Sequence, residues 1–316
     1  MNVTSPLSQQ PPEKIRDLPA PFLREQLASY FGATPPDGLV ETDYSLWRCL
    51  ETGLEFSWPL LPGNDDFYKW VSSFAGYYPQ DRWEYAAVQR LLGPADVAQS
   101  AFKVLDVGCG QGDFLRGLAA VPPERKYALD LNARAILACR AQGFRVCCGT
   151  IASALASGFM VAQEFPVVTA FHCLEHVSDP VAFVRELLGV ASPGGRVFLS
   201  TPYSPMLVES EWFDVLNHPP HHMTRWNLAA YRGLAKILGV EMRYYTPAPC
   251  VFLQVRIAFH VNKYGPLMHV PRLEVLGNML KRAPQFAALW WRFVQRSRKH
   301  KLGGVDSILV EFTVPA

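Results

Sequence analysis

The stretch VLDVGCGQGDFL, residues 104–115, sets Gly108, Gly110 and Gly112 directly after an apolar strand and directly before a helix that begins near Asp113. A turn this tight needs residues that tolerate positive φ and leave the backbone bare for a ligand, and glycine does both. An ordinary strand-to-helix turn seldom needs three alternate glycines, so the spacing predicts a ligand at the edge of an α/β sheet. A phosphate loop would read GxxxxGK[ST] and a dinucleotide turn GxGxxG. This turn is GxGxG with an acid, Asp106, on the strand before it. Asp130, in KYALDLN, closes the next strand, about twenty residues on, where cofactor folds of this class place an acid on ribose hydroxyls. Its competing role is to cap the helix that starts at Asn132.

The rest of the pattern agrees with that edge. FKVLDVG, KYALDL, FRVCC, PVVTAFH and GGRVFLSTP are short apolar runs separated by helical stretches, which is how a parallel α/β sheet is written. VEMRYYTPAP and DSILVEFTV are further strand candidates. The segment between them, about 250–304, is too long for a turn and reads as two helices, FLQVRIAFHVNKYG and PQFAALWWRFVQRSRKH. Upstream, residues 1–21 are polar and proline-rich and read as a flexible tail. Residues 22–95 read as a small cap, a strand hairpin around LETG followed by a helix, and 96–316 as the main domain. With 49% hydrophobic and 18% charged residues the chain is a folded protein, and a net charge of +2 gives no global reason to expect nucleic acid. There is no apolar run of membrane-spanning length and no signal-peptide core, and the seven cysteines are scattered without a CxxC pair. A cytoplasmic location is the expectation.

Two histidine-rich stretches stand out. HCLEH, residues 172–176, has the HxxEH order of a class of zinc peptidases, but that chemistry needs both histidines on one helix face. PVVTAFH before it is strand-like, and Asp179 and Pro180 after it suit the start of a new helix, so a loop or single turn is expected. His176 there is a candidate base, since a neutral imidazole removes protons near neutral pH. The second stretch, NHPPHH, holds His218, His221 and His222 in a long connection, and long connections at a ligand edge tend to be functional. His222, and then His221, are the candidates for an acceptor pocket; packing or helix capping is the alternative.

VLDVGCGQG, ALDLN, FHCLEHVSDP and SPGGRVFLSTPY together resemble the motifs of class I S-adenosylmethionine-dependent methyltransferases of the small-molecule acceptor group, over roughly Phe102–Val240 plus the last strand. The resemblance implies an α/β, Rossmann-like, seven-stranded, mostly parallel sheet with an antiparallel last strand, a small N-terminal cap and a helical insertion before that strand. It implies S-adenosylmethionine as cofactor, with Asp106, Gly108, Cys109, Gly110, Gly112 and Asp113 around its methionine and ribose, Asp130 and Leu131 at the sugar, and Thr150 and Ile151 at the adenine edge. His172, Cys173 and Leu174 would line the same crevice. NHPPHHMTRWN resembles the NxxxHHLxxxs acceptor-pocket segment of one subfamily. In relatives of the ubiquinone-pathway O-methyltransferases ExxEH holds a divalent metal; here Glu175 and His176 match, while His172 replaces the first acid. Hydrogen bonding within the loop competes with metal binding, and no metal is expected. The cap is similar to a zinc-ribbon knuckle, but Cys49 and Thr52 stand where two thiols would, so no structural zinc is expected. The basic segment after Lys281 suggests a lid or a homodimer contact through the C-terminal helices. The acceptor is expected to be a small or carrier-bound molecule. An inert member of the fold acting as a regulator remains the alternative, and an HxxEH peptidase a remote one.

Overall fold

The structure, a computed structural model, describes residues 3–316 except 75–76, 78–80, 98, 100–101, 265–276, 278, 300–301 and 303. Among these residues eleven strands run in chain order: β1 Glu13–Leu18, β2 Tyr44–Arg48, β3 Glu55–Trp58, β4 Val104–Val107, β5 Lys126–Asp130, β6 Arg145–Cys148, β7 Phe165–Phe171, β8 Ala191–Pro202, β9 Thr224–Arg225, β10 Glu241–Tyr245 and β11 Ser307–Thr313. Seven of them form one sheet in the order β10-β11-β8-β7-β4-β5-β6. β4 pairs in parallel with both β5 and β7, so both of its faces must be covered, and all four of its residues are buried. β11 runs antiparallel to β8 and β10, completing the Rossmann-like α/β fold that the motifs imply.

Helices cover both faces of this sheet. On one side Phe114, Ile136 and Phe144 pack with Val88 of the helix Trp83–Leu91; on the other, Val184 and Leu187 of the helix Pro180–Val190 pack with Tyr231 and Leu234 of the helix Leu228–Leu238. Each such fully buried aliphatic or aromatic side chain contributes roughly 1.5–3 kcal/mol. After β4, β5 and β6 the chain crosses back to β7 on the far side of β4. That reversal opens a crevice outside the carboxyl ends of β4 and β7, where open α/β sheets bind ligands.

A second sheet, β1-β2-β3-β9, forms the cap. The expected hairpin is β2–β3, with Trp47 opposite Phe56. The expectation of a flexible tail through residue 21 is overturned: β1 pairs antiparallel with β2 from Glu13↔Arg48 to Leu18↔Tyr44, and Leu7 and Leu18 are buried. The backbone groups along the outer edge of β2 need partners, and the Ser/Gln/Pro composition hid a strand that supplies them. β9 comes from the NHPPHHMTRW connection and stitches it to the cap through Phe56↔Thr224. In the insertion, helices Val251–Tyr264 and Ala283–Lys299 pack through Phe259, Leu289 and Phe293. Arg292 and Arg296 of the second helix pair with Glu211, tying it to the loop after β8. No helix among the described residues is long and apolar enough to cross a membrane.

Candidate functional site

Gly108, Gly110 and Gly112 have φ of 69°, 52° and 80°, the left-handed region that side chains avoid. A Cβ on Gly108 would meet Cys173 Sγ at 2.2 Å, so the turn is also pressed against the loop after β7. Asp130 organises it. Its Oδ2 accepts from the Gly110 N–H at 2.8 Å and its Oδ1 from the Asn132 N–H at 2.8 Å, while the Asn132 side chain caps the helix Ala133–Ala141. Burial raises the Asp130 carboxyl above the usual range, and these backbone donors counter it. Two lone-pair sites on the carboxylate remain for a ligand. Leu131 beside it is 71% exposed, an apolar side chain left standing at the crevice.

Several predicted cofactor residues face elsewhere. Asp106 is buried beside Thr169, whose hydroxyl donates to it at 2.7 Å, and burial pushes its carboxyl up to about 7. The Cys109 side chain lies in the core 3.8 Å from Cys139 Sγ, and Ile151 and Leu174 are buried too, because the apolar periodicity of their own elements claims them. Asp113 pairs with Arg116. Thr150 forms a reciprocal capping box with Ser153 at the start of the helix Ile151–Ala156.

HCLEH is a single 3₁₀ turn, Leu174–His176, between β7 and the helix that Asp179 caps through Ala182 N. The two histidines share no helix face, which removes the peptidase reading. His172 sits at φ 53° and its ring is clamped between carboxylates, Nε2 at 3.1 Å from Glu84 and Nδ1 at 3.3 Å from Glu175. Burial lowers its pKa, but these two acids outweigh it and the net shift is upward. A left-handed non-glycine residue stores strain, of order 1–2 kcal/mol, and such strain clusters at functional sites. His172 and Cys173 therefore shape the crevice wall, the first through Glu84, the second through Gly108.

His176 instead points at the second histidine stretch. His176, His221 and His222 place a ligand nitrogen each within 4.8 Å of one another. Their Nδ1 atoms lie 2.7 Å from His221 O, 2.8 Å from Leu216 O and 3.0 Å from Asn217 Oδ1 respectively. Asn217 Nδ2 faces the Glu209 carboxylate at 2.5 Å, so its Oδ1 is the acceptor toward His222. Carbonyl oxygens only accept, so each Nδ1 carries the proton and each Nε2 presents its lone pair. The Tyr77 hydroxyl meets His221 Nε2 at 3.0 Å, and Tyr68 donates to His221 O at 3.2 Å. Burial keeps all three imidazoles neutral: it lowers His176, takes His222 well down and brings His221 to about 3.

Glu175 lies at the centre. It is 1% exposed, and neither carboxylate oxygen has a hydrogen-bond partner among the described residues. His172 is within ion-pair reach but not aligned as a hydrogen bond, and His222 Nε2 stands 4.0 Å from Glu175 Oε1. A buried carboxylate without a donor is costly, by more than the roughly 1–3 kcal/mol of an unpaired neutral group. A cation or a proton donor would therefore stabilise the arrangement. His218 belongs to another network, with Arg225 Nη1 at 2.7 Å from its Nε2 and Arg225 in turn between Glu55 and Glu209. Glu84, Tyr68 and Tyr77 escaped the sequence reading. The aromatic run NDDFYKW was the only signal for Tyr68, and nothing marked Glu84.

A family model described as a methyltransferase domain matches residues 76–244. The ubiquinone biosynthesis O-methyltransferase of Methylococcus capsulatus is 40% identical over 102 residues, covering 31% of this chain and 43% of the relative. That of an Azoarcus species is 38% identical over 103 residues, covering 31% and 43%. The matches thus span less than half the length of these relatives. A solved S-adenosylmethionine-dependent methyltransferase from Archaeoglobus fulgidus covers 79% of this chain and 100% of its own at 18% identity, with a TM-score of 0.49.

Proposed function

From a chain that belongs to the methyltransferase domain family, we propose a methyltransferase that moves a methyl group from S-adenosylmethionine to a small or carrier-bound acceptor held against His176, His221 and His222. One observation carries the reading: the glycine turn and the HCLEH turn abut, Gly108 against Cys173, so a ligand on the turn lies beside the neutral histidines.

The cofactor supplies a methyl on a sulfonium, already a good leaving group, so the protein's task is mainly alignment. The bare backbone of Gly108–Gly112 admits the cofactor. Asp130 takes its sugar hydroxyls with the lone pairs that Gly110 and Asn132 leave, and Leu131 offers an apolar face. His222 Nε2, neutral and beside Glu175, accepts the acceptor's proton; the carboxylate then stabilises the imidazolium that forms. The names of the relatives point to oxygen as the methylated atom. The metal implied by the ExxEH resemblance fits the donor set, on the evidence of the orphaned Glu175 carboxylate and the anchored Nδ1 atoms. Glu175, His176 and His222 would hold it; with the His222 Nε2 lone pair then taken, the metal would acidify an acceptor hydroxyl in place of the imidazole base. This reverses the sequence expectation of no metal. We also propose a cytoplasmic location and a homodimer contact through the C-terminal helices.

Calorimetry of the full chain with S-adenosylhomocysteine, followed by labelled-methyl transfer to hydroxyl, amine and carbon acceptors, tests the reading. Saturable binding and transfer to a hydroxyl are expected. No binding would end it, and binding without transfer to any acceptor would support the inert regulator.

A further inference from the structure

The resemblance to ExxEH implies an oxygen-rich metal site on one turn. This chain is built differently, and its departure carries consequences of its own. His172, at the position of the first acid, has both ring nitrogens committed to Glu84 and Glu175. Two imidazoles from the connection before β9 converge on the turn instead.

We propose that His176, His221 and His222, with the Glu175 carboxylate, form a nitrogen-rich site for a borderline divalent cation of the zinc class rather than for magnesium. Zinc binds imidazole at about 2.0–2.1 Å, so three tetrahedral ligands would stand about 3.4 Å apart. One nitrogen from each ring already lies within 4.8 Å of the other two, at most about 1.4 Å beyond that spacing. Each ring is fixed by its Nδ1–H on a carbonyl oxygen, the outer-shell contact that orients metal-binding histidines. Glu175 supplies a buried carboxylate that accepts no hydrogen bond among the described residues, within ion-pair reach of His172 and 4.0 Å from His222 Nε2. Magnesium demands about six oxygen ligands in near-ideal geometry, and one carboxylate among three imidazoles does not offer them. On cation entry His221 gives up the hydrogen bond its Nε2 takes from Tyr77. The inference concerns ion binding alone and stands or falls apart from methyl transfer.

The test uses the full chain after chelator treatment, titrated with zinc alone, magnesium alone and cobalt(II) alone. One tightly bound zinc per chain is expected, not displaced by about a hundredfold excess of magnesium. Cobalt should give a four-coordinate visible spectrum without a thiolate charge-transfer band. His222→Asn and His176→Asn should each weaken zinc at least tenfold, while His172→Asn should keep one zinc per chain. If either ligand variant fails to unfold cooperatively in chelator, Glu175→Gln replaces it, with the same loss expected. No stoichiometric zinc, equal saturation by magnesium, a thiolate band, or undiminished zinc in His222→Asn would each overturn the proposal.

Discussion

On the glycine side of the sheet edge the work is done by backbone. The N–H groups of Gly108 and Cys109 go to Leu129 O, that of Gly110 goes to Asp130, and the carboxylate still has lone pairs to spare. On the histidine side the work is done by side chains brought from separate segments, and the central carboxylate, Glu175, accepts no hydrogen bond among the described residues. A backbone scaffold satisfied in this way is rigid, and protonation enters it through the Asp130 carboxylate, which suits the proposed cofactor, whose shape does not vary. A cluster of buried imidazoles around an orphaned charge is held in readiness, responsive to protons, cations and the acceptor.

The contrast breaks most directly at Asp130. Asp130→Asn would present an amide to two N–H donors and lose the charge that makes those bonds strong, at about 1.5–3 kcal/mol each. Affinity for S-adenosylhomocysteine should fall at least about a hundredfold by calorimetry. Retained affinity would mean the carboxylate does not organise that side. A smaller effect is expected of Gly108→Ala, whose Cβ at φ 69° would clash with Cys173 Sγ. The left-handed strain alone costs about 1–2 kcal/mol, so nucleoside binding should weaken about tenfold. Adding Cys173→Ala should recover only the clash, and full recovery would show that the backbone conformation is unimportant.

The histidine side should show itself in the pH dependence of stability rather than in cofactor affinity. His221 titrates near 6.5 when unfolded and near 3 when folded, so between those values the unfolded chain binds more protons. Stability from this group is present above about 6.5 and drains away as pH falls toward 3. His172, shifted upward, runs the other way, adding stability below about 6.5 that fades as pH rises through its folded value. Asp106, at about 7 folded and 3.8 unfolded, also favours the acid side of its window. Comparing Tm against pH for the chelated protein and His221→Asn isolates the first term. The variant should lose up to about one proton's worth of slope between pH 4 and 6. Parallel curves would mean His221 is not held neutral by burial.

The glycine turn and the seven strands of the main sheet were legible because each is written in local text: short apolar runs or a period of two, helical stretches between them, and glycines where φ must be positive. Residues 172–176 as a turn were legible for the same reason, from the strand before and the Asp179–Pro180 start after. Side-chain direction at Ile151, Leu174 and Cys109 was not, since a motif names a position but burial decides which way it faces. β1 was missed because a cap strand paired along β2 needs no apolar alternation of its own, only a partner.

What the chain determined by itself is the glycine half: a turn that only glycine can make, followed one strand later by a carboxylate that ties it down, all within about thirty residues of continuous chain. Tertiary structure alone decided the other half. His176 meets His221 across 45 residues of sequence and Tyr68 across 108, and His172 finds Glu84 across 88. Nothing in local spacing carries such distances; they exist because β9 pins the connection to the cap while β7 delivers the turn to the same edge.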